Sequence, residues 1–417
     1  MSDLLRAPGF PEEEVRARAR DGERTVFPAA DSYGTTLYGA GAPVPADGLD
    51  ALRVAPPLFM PGRLGELVQL GREPLFSDVD LDTDIGGFRS PVPVFVCAFG
   101  STRVANDGLA AAASRQAARL GLPMLVGENI APVHGYRDEA ELAGTLIKRI
   151  RLYLDEVPDG MGGVVVQQST EDADAEVWNH LYSDPTVEPL LKTGRLGFEL
   201  KVGQGAKPGL GGMTLVDRAD GSRLAEQFRL STLNGVADDD RNASFVRSSS
   251  PGTFTADILR HQIRLMRNNY PRCRTWVKLF PGRDVAEAVA VAHAAGADAV
   301  TVDGAEGGTG WAPTSFLHHV GLPLGECLVR LSDTPACLLA SGRMWEGARA
   351  AKAIALGARA VGLGRAALLA VDEDADQGLL RLVRCLALEL QMLTSAVGKY
   401  RVGLLSPDDL WRPDVPT

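Results

Sequence analysis

An apolar run that ends in a glycine turn and leads into an alanine-rich stretch recurs from Pro91 to about residue 370, and this repetition constrains the fold more than any single motif. The runs are Val92–Cys97, Pro123–Val126, Gly163–Gln167, Gly197–Val202, Thr275–Phe280, Ala299–Asp303, Ala336–Ser341 and Arg359–Leu363. Between them Ala105–Leu120, Glu139–Asp155, Ala256–Asn268, Val285–Ala294 and Trp345–Leu356 place apolar residues at i, i+3 and i+4, the helical period. Short buried strands alternating with helices pair in parallel through right-handed crossovers, and a count of eight favours closure into a (β/α)8 TIM barrel. An open doubly wound sheet is the alternative fold.

The first ninety or so residues carry Pro8, Pro11, Pro28, Pro43, Pro45, Pro56, Pro57 and Pro61, which interrupt any long periodic element. Residues 1–90 are therefore expected to form an N-terminal arm packed on the barrel of residues 91–417, with a short helix at Leu64–Leu70 and a strand or hairpin within Leu75–Ile85. Gly378–Lys399 reads as a long amphipathic C-terminal helix that packs on the barrel or on a partner subunit, leaving room for a homo-oligomer. Two polar stretches, Ser169–Gly194 and Met213–Ser250, follow the third and fourth runs. Each is either a pocket wall or lid, or a tolerated surface excursion.

A formal net charge of −10 argues against nucleic-acid binding and leaves small molecules as the expected partners. Apolar stretches fall short of the roughly 20 residues that span a bilayer, and Met1–Phe10 lacks a secretory organisation, so a cytoplasmic protein is expected. The five cysteines are odd in number and widely spaced, which suits reduced core thiols and no metal site. The adjacent His318 and His319 do not share a helix face, and a structural role is expected for them.

Glu199–Gly212 places Lys201, Gln204 and Lys207 on a glycine-rich loop directly after an apolar strand. Glycines allow close backbone approach to a ligand, and lysines set point charges against a carboxylate or phosphate. A tight strand-to-helix connection is the plainer alternative. Ser341-Gly342-Arg343 and Gly362-Leu363-Gly364-Arg365 close the last two runs, where barrels commonly hold phosphate on backbone amides. Lys278 lies inside a buried strand and needs an anionic partner: a bound cofactor, or an ion pair with Glu199 or Asp303. Asp303, Glu306 and Thr309, and Glu128 after the second run, are suited to acid–base work, to binding an amino group, or to accepting loop amides.

These segments resemble the FMN-binding synthase domain of glutamate synthase. Phe198–Gly212 matches the pattern I-E-I-K-x-x-Q-G-A-K-P-G-x-G-G, Gly304–Pro313 matches G-x-[DE]-G-G-T-G-A-[SA]-P with Trp311 in place of alanine, and His319–Pro323 matches H-x-G-[LM]-P. The resemblance implies a barrel carrying FMN. Its cofactor side would comprise Ala98, Phe99, Gly100, Glu128, Lys278, Asp303, Gly307, Gly308, Thr309, Gly310, Ser341, Gly342, Arg343, Gly362, Gly364 and Arg365. Lys201, Gln204, Lys207 and Glu306 would act on the substrate.

The departures are as informative. Residues 362–377 contain no cysteine, whereas the family ligates a 3Fe-4S centre there, and a glutaminase domain is missing from this chain. Cys97-Ala98-Phe99-Gly100-Ser101 stands where the family has M-S-F-G-A. The expected function is thus an FMN-dependent oxidoreductase passing hydride between flavin N5 and an amino acid, imino acid or related carboxylated metabolite, with a separate electron donor or acceptor. A redox-neutral FMN-dependent isomerase and a non-catalytic barrel subunit are the alternatives.

Overall fold

The computed structural model describes residues 5–26, 47–58, 74–99, 108–128, 130, 145–169, 176–205, 207–208, 213–216, 230–232, 245–248, 255–308, 312 and 314–413. Eight parallel strands close into a barrel: β1 Val94–Phe99, β2 Pro123–Val126, β3 Gly163–Ser169, β4 Leu196–Lys201, β5 Arg274–Leu279, β6 Ala299–Asp303, β7 Leu338–Ser341 and β8 Ala360–Leu363. Each lies within two residues of the strand expected from the apolar runs. Pairing runs in sequence order and returns from β8 to β1, with a register shift between Val96 and Phe99 where β1 meets β2.

Side chains alternate between two cores, as a pleated strand requires. Val94, Val96, Val164, Val166, Phe198, Leu200, Val277, Val300 and Val302 face the helices. Phe95, Leu125, Val165, Trp276, Ala299, Leu339 and Ala360 fill the barrel interior. An antiparallel hairpin, Thr83–Ile85 with Phe88–Ser90, contributes Ile85 and Phe88 to that interior. The Trp276 indole N–H donates to Gly86 O at 3.1 Å, and its ring lies 5.5 Å from that of Phe88. The hairpin plugs the N-terminal end of the barrel and leaves the C-terminal end for chemistry; it sits at the far end of the Leu75–Ile85 segment and extends beyond it. The expected helix Leu64–Leu70 lies outside the described residues.

The crossover between β3 and β4 carries more regular structure than its polar sequence suggests. Within the polar stretch after β3, Val177–Tyr182 and Glu188–Thr193 are helices that bury Leu181 and Leu190. Trp178 donates to Val166 O at 3.0 Å and stacks on Phe198 at 5.3 Å. Asp, Glu and Pro between the apolar residues disguised their period. After β4, Met213–Val216, Phe245–Ser248 and Leu230–Thr232 form a three-stranded antiparallel sheet.

The arm contains an unanticipated helix, Glu12–Asp21, whose arginines reach residues 372–389. Arg16 pairs with Asp372 at 2.8 Å and Glu373 at 3.2 Å, Arg20 with Glu373 at 2.8 Å, and Arg18 makes two hydrogen bonds to Glu389 on the long C-terminal helix Gly378–Ala396. Farther along, Asp47 and Asp50 meet the fully buried Arg349. Burial would raise the Asp50 carboxyl, but Arg349 and Arg343 outweigh it and hold it below the ordinary carboxylate range. Glu373 is lowered by Arg20 and Arg16 in the same way, against its own burial.

A carboxylate whose folded pKa is depressed stabilises fully above its unfolded pKa, near 4, and loses that contribution as pH falls through the folded value. Acidification is therefore expected to release the arm before the barrel opens. Hydrogen exchange followed by mass spectrometry checks this: Glu12–Asp21 should lose protection below about pH 4 while β5 and β6 keep theirs.

Candidate functional site at the C-terminal mouth of the barrel

The alternation that makes Trp276, Ala299 and Leu339 interior residues also turns Lys278, Thr301, Asp303 and Ser341 inward, two or four positions nearer the C-terminal end. On β4 the same face carries Glu199 and Lys201, and on β3 Gln167. The barrel interior thus grades from an apolar floor to a charged mouth. Lys201 and Lys278 are register partners on adjacent strands, so two ammonium groups stand side by side and each needs a carboxylate.

Each has one. Lys278 Nζ lies 3.3 Å from Asp303 Oδ2, and Lys201 Nζ donates to Glu128 Oε1 from the turn after β2. Burial alone would favour a neutral Lys278 amine, but Asp303 above all keeps it charged and above the ordinary lysine range. Burial likewise works against the Glu128 carboxylate and is outweighed by Lys201, with Lys207 adding to the effect. Asp303 is held on three sides, accepting from Ser341 Oγ at 2.7 Å and from the Gly205 amide at 3.1 Å as well as facing Lys278.

Glu199 is fully buried below this layer, accepting from Gln167 Nε2 and from Thr301 Oγ1 at 3.1 Å. Its burial outweighs Lys278 and both hydrogen bonds, which raises its pKa. Cys97 reaches the interior from β1, and burial pushes its thiol up to about 12, so it is a neutral wall residue. Gly362 makes room for it, because a Cβ there would lie 2.5 Å from Cys97 Sγ.

The glycine-rich loop is seated on the loop after β6. Gln204 and Lys207 close a tight turn through reciprocal backbone hydrogen bonds of 3.1 and 2.8 Å. The turn presses Gly205 against Gly308, where an added Cβ would meet the carbonyl oxygen at 2.4 Å. A Cβ at Gly307 would strike the Asp303 carboxylate at 2.5 Å. These contacts place Gln204 and Lys207 on the same rim as Lys278, Lys201 and Glu128.

The turns after β7 and β8 form the opposite rim. Gly342 has φ 128° and stands against the Gly304 backbone, and Gly364 precedes the nine-residue helix Arg365–Glu373, which has no side-chain cap. Among the described residues a Cβ on Gly364 would meet nothing closer than Cys97 Cβ at 3.9 Å. The Arg365 guanidinium is largely buried, stacked 4.8 Å from the Phe10 ring and donating to Glu306 O. Among the described residues it has no carboxylate partner, and burial lowers its pKa.

Some expected residues serve elsewhere. Both Glu306 carboxylate oxygens accept from Leu324 N, at 3.2 and 3.0 Å, so that side chain caps the helix Leu324–Arg330. Arg343 is turned to Asp50 and Asp47 of the arm, and only its backbone, at φ 54°, belongs to the rim. The Phe99 side chain joins the outer core, while Ala98 packs against the inner one. Gly100, Thr309 and Gly310 lie outside the described residues. Gln167 and Thr301 were not anticipated from sequence; Gln167 carried a signal, as a polar side chain following the apolar run of β3.

Residues 188–375 match the family described as "Conserved region in glutamate synthase". The archaeal-type glutamate synthase [NADPH] of Thermotoga maritima is 33% identical over 186 residues, 42% of this chain and 34% of that protein. A glutamate synthase large subunit-like protein of Rhizobium meliloti is 36% identical over 186 residues, 42% of this chain and 40% of its own length. The chain thus spans well under half the length of these relatives, and over the matched segment it is glutamate synthase-like. A soluble mutant of (S)-mandelate dehydrogenase from Pseudomonas putida superposes with TM-score 0.55 at 18% identity, covering 97% of this chain and 100% of that one. A flavocytochrome b2 variant with pyruvate bound gives 0.54 at 18%, covering 89% and 80%. These structures share the barrel fold. Among the described residues no helix is long and apolar enough to cross a membrane, and no group of three His, Cys, Asp or Glu side chains could hold a metal ion.

Proposed function

We propose that this chain is a glutamate synthase-like, FMN-dependent oxidoreductase that acts on an amino acid, an imino acid or a related carboxylated small molecule. One observation carries the reading: the basic glycine-rich loop, Lys278 and the two glycine turns after β7 and β8 converge on a single end of the barrel. The residues fit the cofactor. The uncapped helix after Gly364, the Gly342 turn and the carboxylate-free guanidinium of Arg365 suit a phosphate monoester. Lys278, charged and buried at the centre of the mouth, suits the electron-rich edge of a flavin ring. When bound, FMN would supply the hydride acceptor or donor.

The chain's own contribution is positioning and charge. Asp303, fixed by Ser341 and the Gly205 amide, holds the Lys278 ammonium in place. Lys201 and Lys207 would hold a substrate carboxylate, with Glu128 available to an amino or imino nitrogen. Gln204 would complete the rim as a neutral donor. Glu306 takes no chemical step here, since its carboxylate caps a helix. A separate electron donor or acceptor is part of the proposal, because residues 362–377 hold no cysteine.

Anaerobic addition of candidate amino acids to the flavin-loaded protein is expected to bleach its oxidised-flavin absorbance, and Lys207→Ala to slow the bleaching at least tenfold. Full-rate bleaching by Lys207→Ala would remove that residue from the site. A protein that binds no flavin would end the reading altogether.

A further inference from the structure

Away from the mouth, behind the C-terminal ends of β1 and β2, Arg149 poses a separate electrostatic problem. It sits on the helix Leu146–Leu154 and is 2% exposed. Its Nη1 donates to Phe99 O at 3.3 Å, while Nε and Nη2 are buried and among the described residues have no hydrogen-bond partner. Among the described residues no carboxylate pairs with it. Burial lowers its pKa to about 10, so it remains a cation at neutral pH. The side chain lines a narrow cavity with Phe99, Ala113, Met124 and Val126, whose side chains are all apolar, and with Ser114, whose hydroxyl donates to Ala110 O at 2.8 Å.

A buried guanidinium without a counter-charge is among the costliest arrangements in a folded protein, and unpaired donors add to that cost. Water would satisfy the two nitrogens but leave the charge uncompensated. An anion does both. The cavity is too narrow for a metabolite, and one guanidinium charge is too little to compensate a dianion.

We propose that Arg149 forms the floor of a binding site for a small monovalent anion, a halide or a formate-sized carboxylate, lodged between β1, β2 and the helices Leu109–Arg119 and Leu146–Leu154. This site is independent of the flavin reading. Because Arg149 also holds the Phe99 carbonyl, an occupied site would steady the C-terminal end of β1.

Crystals of the unsubstituted protein grown or soaked in bromide test the site by anomalous scattering. A bromide peak within hydrogen-bonding distance of Arg149 Nε and Nη2 is expected. Absence of a peak there, or a carboxylate of the chain itself filling the position, overturns the proposal. In solution, chloride and formate titrated separately at constant ionic strength should raise Tm saturably by about 2–4 °C, the anion that belongs to the site doing so at the lower concentration. The response should vanish in Arg149→Met, and an equal response in that variant counts against the site. The two salts separate a halide site from a carboxylate site.

Discussion

Lys278→Met is expected to reduce flavin reduction by substrate at least a hundredfold and to destabilise the fold by about 3–5 kcal/mol, the usual consequence of leaving one member of a buried ion pair alone. The partner left behind is Asp303, which keeps Ser341 Oγ at 2.7 Å and the Gly205 amide at 3.1 Å but loses its cation. Lys278 also faces Glu199 and Cys97 across the barrel interior. Urea denaturation checks the stability change and anaerobic stopped-flow absorbance the rate. Adding Asp303→Asn should recover a good part of the stability and none of the rate, because a matched removal eliminates the unpaired charge but not the need for an ammonium at the mouth. A Lys278→Met protein of wild-type stability would show that the pair is not formed in solution.

Gly205→Ala is expected to lower kcat/KM about a hundredfold with little change in Tm, because it moves the rim and spares the core. The methyl group would lie 2.4 Å from Gly308 O and 2.6 Å from Gly308 N, and two backbones in contact have no flexible side chain to yield. The loop must lift, which breaks the Gly205–Asp303 hydrogen bond and carries Gln204 and Lys207 with it. Steady-state kinetics beside thermal denaturation separates this from unfolding. Wild-type kcat/KM in Gly205→Ala would mean that the loop is not held against Gly308 during turnover.

The barrel was legible because its code is local. Eight apolar runs closed by glycine or a polar residue specify parallel strands wherever helical periods separate them, and strand ends shifted by only one or two residues. The lysines and glycines of the mouth were legible for a similar reason, since a charge inside an apolar strand, as at Lys278, announces a buried partner. Sequence left a bound cofactor, Glu199 and Asp303 open as partners for Lys278, and in the structure it pairs with Asp303.

Long-range pairings were not legible. The destination of the Glu306 carboxylate depends on where Leu324 starts its helix, and that of Arg343 on an aspartate about three hundred residues away. The helix Glu12–Asp21 was hidden because it is held by ion pairs across the chain more than by an apolar face of its own. Arg149 gave no sign in the sequence, where it reads as one more basic residue on an amphipathic helix.

Fluorescence titration of the flavin-free protein with FMN, set beside riboflavin, tests most directly whether the mouth is a flavin site with a phosphate cradle between the Gly342 and Gly364 turns. Saturation at one FMN per chain, with riboflavin bound at least a hundredfold more weakly for want of the phosphate, is the predicted result. No saturable binding, or riboflavin bound as tightly as FMN, would contradict it.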